Sequence, residues 1–473
     1  MKKLLALLMI IGGCVGAWWG AEQLLSWTAR QAMAQLSARL PVGASLAYAD
    51  MQTSLLHRQV VLSGFKAASG QEPAITVTAD RLVISGLPWV SRHDIKLGHV
   101  ELGNLTITGP VSASAQFVEV DQPGYHLLDQ LLQGRIDWKA GSFAGLTARQ
   151  IQIQKTVPAR TIAADEAVLG GFKDGLLQQA ELKGLAAATP DPLYGEFNSV
   201  KVATLNAQMV AVDRLMDGYG KINLFAPFAR AAIQSATATD VMLGKNGEDN
   251  PSRVSLTFSA EGNASGITTS SQLSGTVKDM PVALIPEEWR GLLTKTGYDA
   301  VNGTFNLVTQ YDPATRQLHV QPSSVDLENM LSLTLSAGIG NIQIENYVSP
   351  MLAATQTMPS LLVNAEISVR EQGLIKRYIK AEADRLQIAP AVYVEQRIYG
   401  LQPDTTLTGP GAQRISQLYK SIGSFLLNPG ELTVSIAPAE PTAFFALFLN
   451  LRNWGDLAER VNLKSQNRQI SQP

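Results

Sequence analysis

From about Ser45 onward, apolar residues fall on every second position. Ile75, Val77 and Ala79 alternate with Thr76 and Thr78, Leu105 and Ile107 with Thr106 and Thr108, and Ile151 and Ile153 with Gln150, Gln152 and Gln154. The same alternation returns at 254–258, 331–335, 363–369 and 432–436. Successive side chains of a strand point to opposite faces, so each stretch predicts a strand with one apolar and one polar side. Antiparallel sheets wetted on one face read this way, whereas parallel sheets covered on both faces read as continuous apolar runs. Turn signals at Ser63-Gly64, Ser85-Gly86, Leu97-Gly98, Gly109-Pro110, Gly170-Gly171 and Asn302-Gly303 divide the strands. Asp312-Pro313 predicts a hairpin turn between strands at 304–310 and 317–320. An irregular repeat of strand, apolar-Gly step and strand recurs in DRLVISGL, GHVELGNLTITGP and AGLTARQIQIQ, which predicts a meander of related strands.

The period changes at both ends of the chain. Leu24, Leu25, Trp27, Ala32, Met33, Leu36 and Leu40 recur at helical spacing until Pro41. They predict an amphipathic helix that either continues from or lies on a membrane, or packs as a stalk on the edge of the following domain. Short helices are expected at 209–216 and 227–233, and a single helix at 286–293 with proline in its first turn. Further helices are expected at 371–386, from 390 toward 399, and at 410–427 before Asn428-Pro429-Gly430. The apolar segment 442–451 is too short to cross a bilayer and reads as a core-facing helix. The fold class is thus mainly β (α+β): a long, curved antiparallel sheet or groove, short helices concentrated in the C-terminal quarter, and an N-terminal membrane helix. The expected segments are an anchor at 1–21, a stalk at 22–44, and β-rich halves at 45–248 and 249–473, separated by the polar stretch 244–252.

The leader has its own logic. Lys2 and Lys3 precede an uncharged run over residues 4–21 that contains Leu4, Leu5, Leu7, Leu8, Ile10 and Ile11 and ends near Trp18 and Trp19. Roughly 17–25 apolar residues span a bilayer as a helix. The tryptophan pair suits the headgroup layer, and the lysines keep the N-terminus cytoplasmic, so the rest of the chain faces outward. Ile11-Gly12-Gly13-Cys14 also resembles a lipoprotein acylation site at Cys14, and a cleaved signal peptide is a third reading.

Composition narrows the function classes. Hydrophobic residues make up 45% of the 473 positions, which excludes wholesale disorder. Only 16% are charged, against about 25% in an average soluble protein. Ser, Thr, Gln and Asn supply the remaining polarity, a balance common in exported β-rich proteins. With Lys plus Arg at 38 and Asp plus Glu at 40, the net charge is −2, offering nucleic acid no general attraction. A lone cysteine builds neither an intrachain disulfide nor a thiolate metal cage. No two of the five histidines have ligand spacing on a helix face; His99 and His319 fall in strand patterns. There is no H-E-x-x-H, no G-x-S-x-G elbow and no phosphate-binding P-loop, and the glycines at 170–175 read as a turn. Lys376, Arg377, Lys380 and Arg385 form a basic stripe that Glu371, Glu382 and Asp384 balance, with contact to anionic headgroups as the functional alternative. The chain is therefore read as a non-enzyme that takes no cofactor, metal or nucleic acid.

Many strands with one apolar face need a cover, because exposed apolar surface costs about 25 cal/mol per Å². A second sheet or self-closure would supply it, as would lipid tails from the adjacent membrane. On the last reading Leu331, Leu333, Leu335, Leu432, Val434 and Ile436 form a lipid-facing stripe. A transmembrane barrel fits less well, since aromatic residues at 7% are too few for two girdles.

The anchor followed by units such as ADRLVISGLPWV, LGNLTITGPV and GYDAVNGTFNLVTQYDPATRQLHV resembles the AsmA-like envelope proteins of proteobacteria. The resemblance implies a single-pass inner-membrane protein with its bulk in the periplasm, binding or transferring lipid along a β groove in envelope maintenance. Other envelope proteins are the implied partners. The alternative is a non-enzymatic assembly or scaffold protein acting through protein–protein contacts.

Overall fold

The computed structural model describes residues 22–31, 33–35, 37–38, 43–69, 75–86, 98–124, 141–155, 160–189, 198–215, 229–244, 253–344, 359–401, 409–449 and 454–469. The leader, with Leu4, Leu5, Leu7, Leu8, Ile10, Ile11, Cys14, Trp18 and Trp19, lies outside them. Among the described residues no helix is long and apolar enough to cross a membrane. The chain is mainly β, with twenty described strands paired antiparallel and its longer helices toward the C-terminus. It divides into two compact units, Met1–Pro192 with Asn198–Asp213, and Leu193–Phe197 with Arg214–Pro473. The division falls ahead of the polar stretch at 244–252.

The first unit is a meander. Its strands are β1 (Ser45–Ala47), β2 (Asp50–Ser54), β3 (Gln59–Ala68), β4 (Thr76–Ser85), β5 (His99–Thr108), β6 (Val111–Asp121), β7 (Ser142–Lys155), β8 (Arg160–Lys173), β9 (Leu176–Ala188) and β10 (Ser199–Ala211). β1 and β2 both pair with β3, and from β3 to β10 each strand pairs with the next. The apolar alternation sets one face. Val60, Ile84 and Val100 stand in one cross-strand row, and Leu62, Leu82 and Leu102 in the next. Met51, Val60, Leu62, Leu82 and Val100 form a buried cluster there, against which Ala29 and Met33 of the N-terminal helix pack.

Two signals taken for turns are interruptions within long strands. Ser63-Gly64 lies inside β3 and Gly170-Gly171 inside β8. Gly64, Asn104, Gln150 and Gly184, in β3, β5, β7 and β9, have φ of 60°, 51°, 52° and 60°. The ladders skip these residues and those facing them, Asp80, Gln116, Asp165 and Ala203, while keeping register on both sides. A second row holds Gly86, Gln122, Gly171 and Met209, with φ of 69°, 47°, 59° and 51°, in or just past β4, β6, β8 and β10. The rows are six residues apart, from Asp165 to Gly171 in β8 and from Ala203 to Met209 in β10. Each such residue shifts the alternation by one position, so Val100 and Leu102 share a face with Leu105 and Ile107. Interruptions of this kind bend strands and raise their twist.

The second unit contains β11 (Ile233–Gly244), β12 (Arg253–Gly262), β13 (Thr268–Pro281), β14 (Ala300–Asp312), β15 (Gln317–Leu327), β16 (Leu331–Gly340), β17 (Leu361–Glu371), β18 (Glu431–Ile436), β19 (Thr442–Ala443) and β20 (Lys464–Arg468). Neighbours from β11 to β18 pair in sequence, β19 also pairs with β17, and β20 pairs with β18. Asn302-Gly303 lies within β14, not at a turn. Asp312-Pro313 does open the β14–β15 hairpin: the Asp312 carboxylate accepts the Ala314 N–H at 2.9 Å and the Thr315 hydroxyl at 2.7 Å. The Thr315 hydroxyl first, then the Ala314 N–H, holds its pKa below the ordinary carboxylate range. Pro322 falls at the β15 bulge, where register shifts against both neighbours, a position that tolerates a missing N–H.

Among the described residues its longer helices are α1 (Glu287–Lys295), α2 (Leu374–Leu386), α3 (Pro390–Leu401), α4 (Pro410–Leu427), α5 (Phe444–Leu449) and α6 (Trp454–Arg460). α1 follows Pro286, with Glu287 and Glu288 in its first turn as the macrodipole favours. The 442–451 segment begins as strand β19 before α5, and of the expected 209–216 helix residues 209–211 belong to β10 while Val212–Leu215 are helical. Likewise, Ile233 opens β11 instead of ending a helix. Glu371 ends β17 and turns the chain into α2: its carboxylate accepts the N–H groups of Gly373, Ile375 and Lys376 at 2.7, 3.1 and 3.1 Å.

Candidate functional site

The six stripe residues come together. Leu333 on β16 pairs with Val369 on β17, and Val369 with Leu432 on β18. One step along, Leu335 pairs with Ile367, and Ile367 with Val434; the next row runs Ala337, Ala365, Ile436. Directly paired residues share a face, so the stripe is one surface with β17 filling its middle. It extends the other way too, from Leu333 to Val325 on β15 and Phe305 on β14, while Leu307 on β14 pairs with Leu273 on β13.

What covers this face decides what it can do. Near Leu331 it is closed. Met280, Val282, Leu293, Val301, Met330 and Leu374 form a buried cluster, and Leu327 and Leu331 pack against it together with Leu284, Ile285 and Leu292. α1 and the start of α2 thus lie over that end, and Leu331 packs partly buried beneath them. Lys295 of α1 is ion-paired with the buried Glu382 of α2, which Arg385 also binds at 2.9 Å. At the opposite end Tyr311, Ile342 and Leu362 are buried, and the Tyr311 hydroxyl donates to the Ile342 carbonyl at 3.0 Å. On the β20 side α4 lies on the face: Asn467, paired with Leu432, donates to Ser424, and Ser465, paired with Val434, bonds Ser421.

Between these covers the surface is open. Leu307, Val325, Leu335 and Ile367 remain 37%, 36%, 38% and 37% exposed, each on a different adjacent strand. The intervening Phe305, Leu333 and Val369 are half-buried. Two sets of polar groups on the face are satisfied internally. Ser271 and Thr309 bond each other at 2.7 Å, and Ser323 donates to the Gln321 carbonyl while accepting the Val308 N–H. The face therefore offers a ligand dispersion contact and desolvation, and these internal pairs need no polar partner from it. Sequence reading missed Phe305, Leu307, Val325 and Ile367 as members; Ile367 was visible as an alternating residue, while the bulge at Pro322 hid the phase of β15.

The remaining chemistry-bearing side chains lie on wetted surface. His99 pairs across strands with Asp121, Nδ1 to Oδ1 at 2.8 Å, with Glu119 at 3.6 Å. These three are the group among the described residues whose ligating atoms come close enough for a cation, all within 4.8 Å. His99 and Glu119 are half-exposed and Asp121 is exposed, which fits a solvated cross-strand pair equally well. On the same polar side Glu166 lies between Arg149 at 3.2 Å and Lys183 at 3.0 Å, each paired to it in the ladder. The Lys183 ammonium, then Arg149, holds the Glu166 carboxyl below its usual range, and Glu166 and Glu181 raise Lys183 in return. Of the basic stripe, Arg385 binds Glu382 and Arg377 lies 4.6 Å from the Tyr298 ring centre, while Lys376 and Lys380 are exposed.

A family model described as "Uncharacterized protein" matches residues 324–467, which hold the end of β15, all of β16–β19 and all six stripe positions, though less than a third of the chain. No curated protein matches the sequence.

Proposed function

We propose that the protein is a lipid-binding envelope component, anchored by its N-terminal segment at a bacterial inner membrane with the bulk of the chain in the periplasm. It takes lipid tails on the open apolar face of β14–β17. The observation that carries this reading is the set of half-open large side chains, Leu307, Val325, Leu335 and Ile367, on four adjacent strands between two closed ends. A run of partly exposed apolar side chains on adjacent strands is a surface that suits an apolar ligand. Each methylene buried there contributes about 0.8 kcal/mol at most, so even a partly seated acyl chain reaches a useful affinity after the costs of association. The AsmA-like texture of the strands supports the same reading, and with it a role in moving lipid or maintaining the envelope.

Native mass spectrometry of residues 22–473, purified without detergent, tests it. Phospholipid adducts that survive desalting are expected. A bare polypeptide mass, with a protein partner recovered by crosslinking, would favour the scaffold alternative.

A further inference from the structure

We infer that the outer flank of the N-terminal helix lies in the headgroup layer of the bilayer at Leu24 and Trp27, and leaves it by Gln31. This rests on the anchor reading of residues 4–21 and adds where the folded chain meets the membrane. The helix has two distinct sides. Ala29 and Met33 pack on the Met51–Val60–Leu62 cluster, and Glu22, Leu25 and Ser26 are half-buried on the same side at helical spacing. Opposite them project Leu24, Trp27, Gln31, Gln35 and Ala38, all exposed. Leu24 is 60% and Trp27 56% exposed, so this flank opens with two large apolar groups left in water and continues with two amides.

The occupant follows from position. The apolar run ends at Ala21, immediately before the first described helical residue. At a rise of about 1.5 Å per residue, Leu24 stands roughly 3 Å and Trp27 roughly 7.5 Å along the axis from Glu22, the first described residue of the helix. The headgroup layer is about 5–8 Å thick on each side of the hydrocarbon. Leu24 therefore falls within it, and Trp27 enters it when the axis leans well away from the normal, as it must if Trp18 and Trp19 share the layer. Tryptophan is the side chain that favours this layer. Gln31 and Gln35 argue against the whole helix lying flat, since that would bring two amide side chains to the depth of Leu24. The helix thus leaves the membrane obliquely, its inner side carrying the first strands of the sheet close to the surface.

Spin labels on the full chain report depth directly. In a Cys14→Ser background, Leu24→Cys, Trp27→Cys, Gln31→Cys and Gln35→Cys are labelled in vesicles of phosphatidylethanolamine with phosphatidylglycerol. Ala29→Cys is the protein-facing reference. The expected result is collision with oxygen favoured over a water-soluble nickel reagent at position 24. That preference falls at 27 and is gone at 31 and 35, while position 29 is shielded from both. Equal aqueous behaviour at 24, 27 and 35 in a chain that resists carbonate extraction would overturn the inference and spare the anchor. Release of the chain by carbonate would overturn both.

Discussion

Asn104 of β5 donates its side-chain amide to the carboxylate of Asp80 of β4 at 2.8 Å, across a row where the β-ladder is broken. Asn104 sits at φ 51°, a conformation asparagine tolerates better than most residues. Four strands on, in β9, Gly184 holds the equivalent place at φ 60°, and a Cβ there would collide with the Asp165 carboxylate. We expect Gly184→Ala to cost about 1–3 kcal/mol, from strain at positive φ and the collision. Asn104→Gly should stay within about 1 kcal/mol of the parent, since it loses one exposed hydrogen bond and relaxes the backbone. Urea midpoints of the two variants measure the difference.

Glu371 is the joint between β17 and α2. Its carboxylate satisfies N–H groups that a helix start leaves orphaned. Glu371→Ala should destabilise by about 1 kcal/mol, in the range of a lost cap. Hydrogen exchange should rise first at Ile375 and Lys376, ahead of the strand amides of β17.

Leu335 and Leu331 share a face and differ in cover. Leu335→Asp places a carboxylate on exposed surface and should leave the thermal midpoint within a few degrees of the parent while abolishing lipid adducts. Leu331→Asp buries that charge against the Met330–Leu374 cluster and should unfold the second unit. Circular dichroism melts with native mass spectra separate the outcomes; equal unfolding by both would mean that Leu335 is core.

How far the sequence reveals this depends on the interaction concerned. Alternation at 331–335 and 432–436 identifies both strands and their apolar side, because that pattern is local. Burial of Leu331 is not local: it needs Leu292 and Leu293 of α1 to arrive from about forty residues away in the chain. The interruptions leave a trace, a one-residue slip between Leu102 and Leu105 and between Val320 and Ser323. A slip next to glycine or proline reads as a turn until the register on both sides is known. Ser271 and Ser323 look misplaced on an apolar face until their hydroxyl partners are seen.

The Arg149–Glu166–Lys183 ladder predicts a pH dependence. Glu166 has a lowered folded pKa, so its contribution is present above the ordinary carboxylate range, near 4.3, and fades as pH falls through the folded value. Lys183 has a raised pKa, so its contribution is intact below about 10.4 and fades as pH rises through the folded value. Glu166→Gln should flatten the acid side of the stability–pH curve in urea titrations at low salt. The difference from the parent should shrink in high salt, as exposed pairs are screened.

The lipid proposed for this protein lies on the open face of β14–β17. Photo-crosslinking tests it most directly, with a benzophenone side chain placed at Leu335 on the apolar side of β16 or at Thr334 on its polar side, in the full chain in native membranes. Phospholipid should become attached at position 335 and not at 334. Equal attachment at both, or protein but no lipid at 335, would contradict it.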